Sequence, residues 1–453
     1  MILYFQILRY FDATMTASLK FFELFFIVIV FANLSKGHND CFTAQDTFEC
    51  RLGSMTPYRL IANKNDSELN FVGCKPKKIW LLVRHGTRYP GKKWTLKMLK
   101  DLPTIWDSIL ESHSLEQRNL SQEEIELFQK WKFRFSDQDI MHLTEEGEKE
   151  LVGIAERFQS RFPSIMPEIY TNQTFKFQYT ATQRTESSAK NFALGLFGRK
   201  QSTGVWYPSP LHKDPILRFY KLCRRWQEEV DDNPESYREN EKFVKSLTVS
   251  KMLADVSKRV GFALNYANVH LIYMICAFET AWFPNLYSPW CSLLSLDNFK
   301  VLEYAQDLQY YWIDGYGYSL TYEQACSTTK DVFDFFQSDD EVTTRAYFTH
   351  SGTVLKILAL LGIAKDEEAL KHDSFARDEN RLWRTSLIDS FASNIAFVLY
   401  NCEIQGPSIL LMHQERFVQL ENCPVGVPCP LSTMKMKYPD HEAECSFNEM
   451  CAN

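Results

Sequence analysis

Three stretches of this chain share one pattern: a short apolar run stops at a polar or charged turn and passes into a helical periodicity. That pattern limits the folds open to it. Lys78 to Val83 (KIWLLV) leads straight into Arg84-His85-Gly86. Phe175 to Thr180 runs through Ala-Thr-Gln to Arg184, with a helical stretch from Thr185 to Phe197. Arg345 to Thr349 runs into His350-Ser351-Gly352, with helical spacing from Val354 to Leu361. Strand, polar turn and helix in that order make the βα corner of a parallel sheet. Open α/β sheets bind ligands where such corners gather, outside the carboxyl ends of the strands, and helix N-termini there favour anions. The expected architecture is α/β: a three-layer α/β/α core with a mostly parallel sheet, carrying an inserted, mainly helical cap lobe.

Other segments fit around this core. Thr144 is placed to cap a helix that runs to about Arg161, with acids in its first turn. Asn394 to Asn401 and Ser408 to Met412 read as late strands, the second turning back through Phe417 to Leu420. Between Tyr207 and Phe335 the spacing is helical and rich in Trp and Tyr. The expected division gives residues 38–90, 143–206 and 336–453 to the core, and 91–142 and 207–335 to helical cap insertions.

Residues 1–36 are expected to be a signal peptide or leader. Phe21 to Ala32 is apolar apart from Glu23, follows Lys20 and gives way to polar Asn33-Leu34-Ser35-Lys36. That length suits a signal-peptide core and is too short to span a bilayer. Met15 would make a tidier start than Met1. The twelve cysteines show no paired CxxC spacing, so disulfides of open connectivity are expected in place of a zinc site. Sequons at Asn65, Asn119 and Asn172 would be usable on that route. The expected compartment is the secretory pathway, with the protein secreted or in the endoplasmic reticulum lumen or lysosome. With 45% hydrophobic and 14% aromatic residues the chain is no disordered tail. Its net charge of -7 disfavours nucleic acid as a partner, so an anionic ligand needs a local basic patch.

Such a patch surrounds His85. Arg84 and Arg88 bracket it four residues apart, and guanidinium forks match phosphate oxygens in bidentate fashion. An imidazole held among them can attack phosphorus, and nearby cations keep it neutral, as a nucleophile must be. From Lys75 to Lys100 there are nine basic residues and no acid. That reversal suits a small polyphosphorylated substrate, with Lys92 and Lys93 at the pocket mouth and Thr87 as a further contact.

The heptapeptide Arg84 to Pro90, RHGTRYP, resembles the RHGxRxP signature of branch-two histidine phosphatases, which include acid phosphatases and phytases. Its form is most similar to that of the multiple inositol polyphosphate phosphatases. Leu143-Thr144-Glu145-Glu146-Gly147, the segment from Arg184 to Ala189, Phe391 to Cys402, and Cys423 to Cys429-Pro430-Leu431 resemble later family segments in the family's order. The resemblance implies His85 as a nucleophile that becomes phosphorylated. It implies Arg84, Arg88 and Arg184 as phosphate ligands, His350 as a second histidine on the phosphoryl group, and neither metal nor cofactor. It also implies a proton donor just after His350, an aspartate one residue on or a glutamate two residues on. Ser351 and Gly352 stand there instead. Glu186, Asp339 and Glu341 are other acids that could serve, which leaves the general acid unassigned. The leading expectation is hydrolysis of inositol polyphosphates. A broad acid phosphatase and a catalytically impaired polyphosphate binder are the alternatives.

Overall fold

A computed structural model describes residues 40–43, 46–114, 120–438 and 445–452. The expected leader, 1–36, and the Asn119 sequon lie outside these residues. Seven strands form one sheet: β1 (Cys74–Arg84), β2 (Phe175–Tyr179), β3 (Thr344–Thr349), β4 (Asn394–Cys402), β5 (Gly406–His413), β6 (Arg416–Phe417) and β7 (Cys429–Pro430). Their order is β2-β3-β1-β4-β5-β6, with β7 also on β5. β2, β3 and β1 pair in parallel, β4 runs against β1, and β5 runs against β4. Four of the five longer strands therefore share one direction.

The run KIWLLV forms the middle of the sheet because it is buried on both faces, which is what a continuous apolar strand requires. Ile79, Leu81 and Val83 join one apolar cluster, whereas Trp80 and Leu82 join another. Helices of nine or more residues are α1 (Lys92–Ser114), α2 (Gln122–Lys130), α3 (Glu145–Arg161), α4 (Gln183–Ser202), α5 (Leu247–Val260), α6 (Tyr266–Trp282), α7 (Leu296–Asp314), α8 (Cys326–Gln337) and α9 (Ser351–Leu360). α3 and α4 cover the Ile79 face, through Leu151, Ile154, Phe158, Phe192 and Leu196. α9 lies on the Trp80 face, where Val354, Leu355 and Leu358 join a cluster that continues without a break into α6 and α7. Residues 91–142 and 207–335 add helices and, among the described residues, no strand of the sheet.

Local chemistry explains the helix that opens at 145. Thr144 Oγ1 accepts from the Gly147 amide at 3.2 Å, and Glu145, Glu146 and Glu148 meet the positive end of the dipole. All twelve cysteines are paired: 41 with 50, 74 with 402, 223 with 451, 276 with 291, 326 with 445 and 423 with 429. Six disulfides fit an oxidising, secreted or lumenal setting. Among the described residues no helix is long and apolar enough to cross a membrane. Asn65 and Asn172 are both exposed.

Candidate active site

Register places the chemistry. Arg84 lies opposite Thr349 across the β1–β3 pair, and the His85 amide donates to the Thr349 carbonyl at 3.0 Å. The residues next along, His85 and His350, therefore leave adjacent strands side by side, with ring centroids 5.6 Å apart. β2 lies on the far side of β3 and delivers Arg184 in the first turn of α4, where its Nη2 is 3.2 Å from His350 Nδ1. The three βα corners thus converge as the sequence requires.

The histidines differ in state. His85 Nδ1 lies 3.0 Å from the Gly86 carbonyl. A carbonyl only accepts, so Nδ1 carries the proton and Nε2 keeps its lone pair. Burial, then the charges of Arg184, Arg84 and Arg88, hold the His85 imidazole well below its ordinary range. His350 uses both nitrogens within the protein. Nδ1 accepts from Arg184, so Nε2 is the donor to Thr180 Oγ1 at 2.9 Å. In this arrangement His350 orients Arg184.

The arginines are anchored by one end. Arg84 Nη1 donates to the carbonyls of Ser54, Asp389 and Ser390 at 2.8, 2.5 and 3.1 Å. Arg88 Nη1 donates to the Tyr89 carbonyl at 2.8 Å. The Nε atoms of Arg84, Arg88 and Arg184 are buried without a protein partner, a donor set suited to an oxyanion. Burial, and then repulsion from neighbouring arginines, push Arg88 down to about 9 and Arg184 down to about 10, and a bound dianion would relieve that repulsion.

The outline of the histidine phosphatase superfamily (branch 2) matches residues 77–420. The chain belongs to that superfamily. It is 32% identical over 403 residues to multiple inositol polyphosphate phosphatase 1 of Drosophila melanogaster, spanning 86% of this chain and 84% of that protein. The human protein of the same name is 28% identical over 363 residues, spanning 75% and 73%. In fold, the phytase of D. castellii superposes with a TM-score of 0.73 at 18% identity, over 90% of this chain and 88% of the other. The multiple inositol polyphosphate phosphatase of Bifidobacterium longum, solved with inositol hexasulfate, gives 0.64 at 15% identity over 86% and 98%.

Several expectations for this histidine phosphatase need correction. Thr87 does not face the anion site. It is wholly buried, its amide and hydroxyl both donate to Glu150, at 2.7 and 2.9 Å, and Glu150 also accepts from the Tyr58 amide. Burial pushes Glu150 up to about 7, so this carboxyl is a buried strut under the His85 loop. Gly86 packs the same loop against the helix: a Cβ there would meet the Gly147 carbonyl at 2.6 Å. Lys78 is spent on structure, donating to Phe335 and Ser338 and lying 3.3 Å from Asp340. Lys92 and Lys93 are exposed in the first turn of α1.

The acids named from sequence also fall away. Asp339 and Glu341 are exposed and precede β3, so they stand at the end of the strand opposite His350, roughly 20 Å off at about 3.3 Å per residue. Glu186 is half-exposed and paired with Lys190 at 2.6 Å. Sequence reasoning missed Arg218, whose charge reaches both Arg184 and His350. Its only signal was a lone cation inside the apolar run ILRFY. Among the described residues no group of three or more His, Cys, Asp or Glu is arranged to hold a metal ion.

Proposed function

We propose that this chain is a phosphomonoesterase acting on inositol polyphosphates through a phosphohistidine at His85 Nε2. The observation that carries the reading is the state of His85: buried, unprotonated at Nε2, and set among arginines whose Nε atoms lack protein partners. Nε2 attacks phosphorus, and Arg84, Arg88, Arg184 and Arg218 take the charge that builds on the phosphoryl oxygens. Water then hydrolyses the phosphoenzyme. Because the imidazole stays neutral well below its ordinary range, the nucleophile survives into acidic conditions. The relatives' names supply the inositol polyphosphate substrate class. Exposed Lys92 and Lys93 would meet its peripheral phosphates, with 91–142 and 207–335 as the cap that forms the rest of the pocket. The disulfides, leader pattern and exposed sequons support secretion or residence in the lumen of the endoplasmic reticulum or lysosome.

The test is phosphate release from myo-inositol hexakisphosphate by the purified protein and by His85→Ala. Wild type should release phosphate and the variant should fall to background. Undiminished release by His85→Ala would remove the nucleophile from this reading.

A further inference from the structure

An inositol alkoxide is a poor leaving group unless it is protonated as it departs. The residues that replace the missing acid at 351 and 352 have different neighbours. A Cβ on Gly352 would lie 3.1 Å from Asp314 Oδ1 and 3.7 Å from Lys356 Nζ. The space for a side chain at 352 is therefore filled by an ion pair. Lys356 is wholly buried and its ammonium pairs with the Asp314 carboxylate, so both side chains are already engaged with each other.

Ser351 has a different partner. It is half-buried, and its hydroxyl is hydrogen-bonded to Asp389 Oδ2. Asp389 is completely buried just after the short turn Thr385–Ile388. Arg84 of β1 faces its carboxyl, 3.4 Å from Oδ2, as do Ser351 of α9 and Tyr310 and Asp314 of α7. Oδ1 is buried with no hydrogen-bond donor. A buried anionic oxygen lacking a donor carries the full desolvation penalty, which favours the neutral acid. Arg84 opposes this, but the same Nη1 is already shared among three carbonyls. Burial prevails over Arg84 and the Ser351 hydrogen bond and pushes Asp389 up to about 7.

We propose that Ser351 is the proton donor to the leaving alcohol and that Asp389 recharges it. This rests on the phosphohistidine reading above. As the bond from phosphorus to the inositol oxygen breaks and the bond to His85 Nε2 forms, the departing oxygen takes the Ser351 hydroxyl proton. Ser351 Oγ takes the Asp389 proton in the same relay, leaving Asp389 as carboxylate. When water attacks the phosphohistidine, its oxygen adds to phosphorus and Nε2 departs. One water proton returns through Ser351 to Asp389, which restores the starting state. Asp389 acts through Ser351 and is a positioning residue, whereas the relay requires the Ser351 hydroxyl to reach the leaving oxygen.

The test compares kcat on myo-inositol hexakisphosphate with kcat on p-nitrophenyl phosphate, whose phenolate leaves without protonation. Asp389→Asn and Ser351→Ala should each lower the ratio of the two kcat values on the order of 10²-fold, the usual worth of a general acid. The wild-type kcat on the inositol substrate should fall as pH rises through about 7, and Asp389→Asn should lose that limb. Asp314→Asn should leave the ratio where it was. Equal losses on both substrates would assign Asp389 to support of Arg84 alone and overturn the relay. So would a ratio that follows Asp314, or a limb that persists in Asp389→Asn. Ser351→Ala carries the same ratio test if the aspartate variant does not fold. A wild type that releases phosphate from neither substrate would overturn the phosphatase reading itself, and the relay with it.

Discussion

A carboxyl whose pKa rises from 3.8 to about 7 on folding, as that of Asp389 does, holds its proton in the folded state where the unfolded chain has released it. Its contribution to stability falls as pH climbs between those values and is fully unfavourable above the higher one, by up to about 4 kcal/mol at roughly 1.4 kcal/mol per unit. Asp389→Asn should therefore melt higher than wild type at neutral pH, and the gap should close near pH 4. Calorimetry at the two pH values checks this, and a lower melting temperature for the variant at neutral pH would contradict it. A side chain that weakens its own fold under working conditions is the kind of group active sites collect. Such a residue was not legible in the sequence, because nothing near Asp389 marks it as buried or places it against a serine 38 positions earlier. The grouping of Arg84, His85 and Arg88 was legible because they are near neighbours in the chain. Thr87 sits in the same heptapeptide, yet its direction is set by Glu150, 63 residues away.

At the scale of elements, the His85 loop and the start of α3 are locked by two glycines. A Cβ on Gly147 would lie 2.2 Å from the Thr87 carbonyl, and one on Gly86 would strike the backbone and Leu151 of the same helix. Helix propensity alone would favour Gly147→Ala by about 1 kcal/mol, but overpacking of this kind costs about 1–3 kcal/mol. The displaced backbone lies between His85 and Arg88, so catalysis should suffer more than stability, by on the order of 10²-fold in kcat/KM for a shift near 1 Å. Thermal melting and kinetics on the same preparation check this, and wild-type kcat/KM would show that the loop tolerates the extra methyl. The α3 start itself was readable, since Thr144 and three glutamates announce a cap. β1 was read as 78–83 but begins at Cys74. Its first residues alternate between half-buried and exposed, and a register shift between Pro76 and Lys78 breaks the pattern.

At the scale of the molecule, the layered α/β/α plan and the convergence of three corners followed from local patterns. The strand order and the disulfide pairings did not, because they join segments with no shared local signal. The sheet order has a consequence for biosynthesis. β1 leaves the ribosome early, but its flanking partners end only at Thr349 and Cys402. Until then KIWLLV has no edge to join, and long-range pairing of this kind is slow and exposed to aggregation. Stalled nascent chains ending before residue 344, which lack both flanking strands, should stay protease-sensitive, whereas released full-length chains should become resistant. Resistance in the shorter chains would mean that another partner shelters β1. The translating cell must therefore guard one sticky ribbon through most of elongation, so demand for holding chaperones is fixed by where two late strands are encoded.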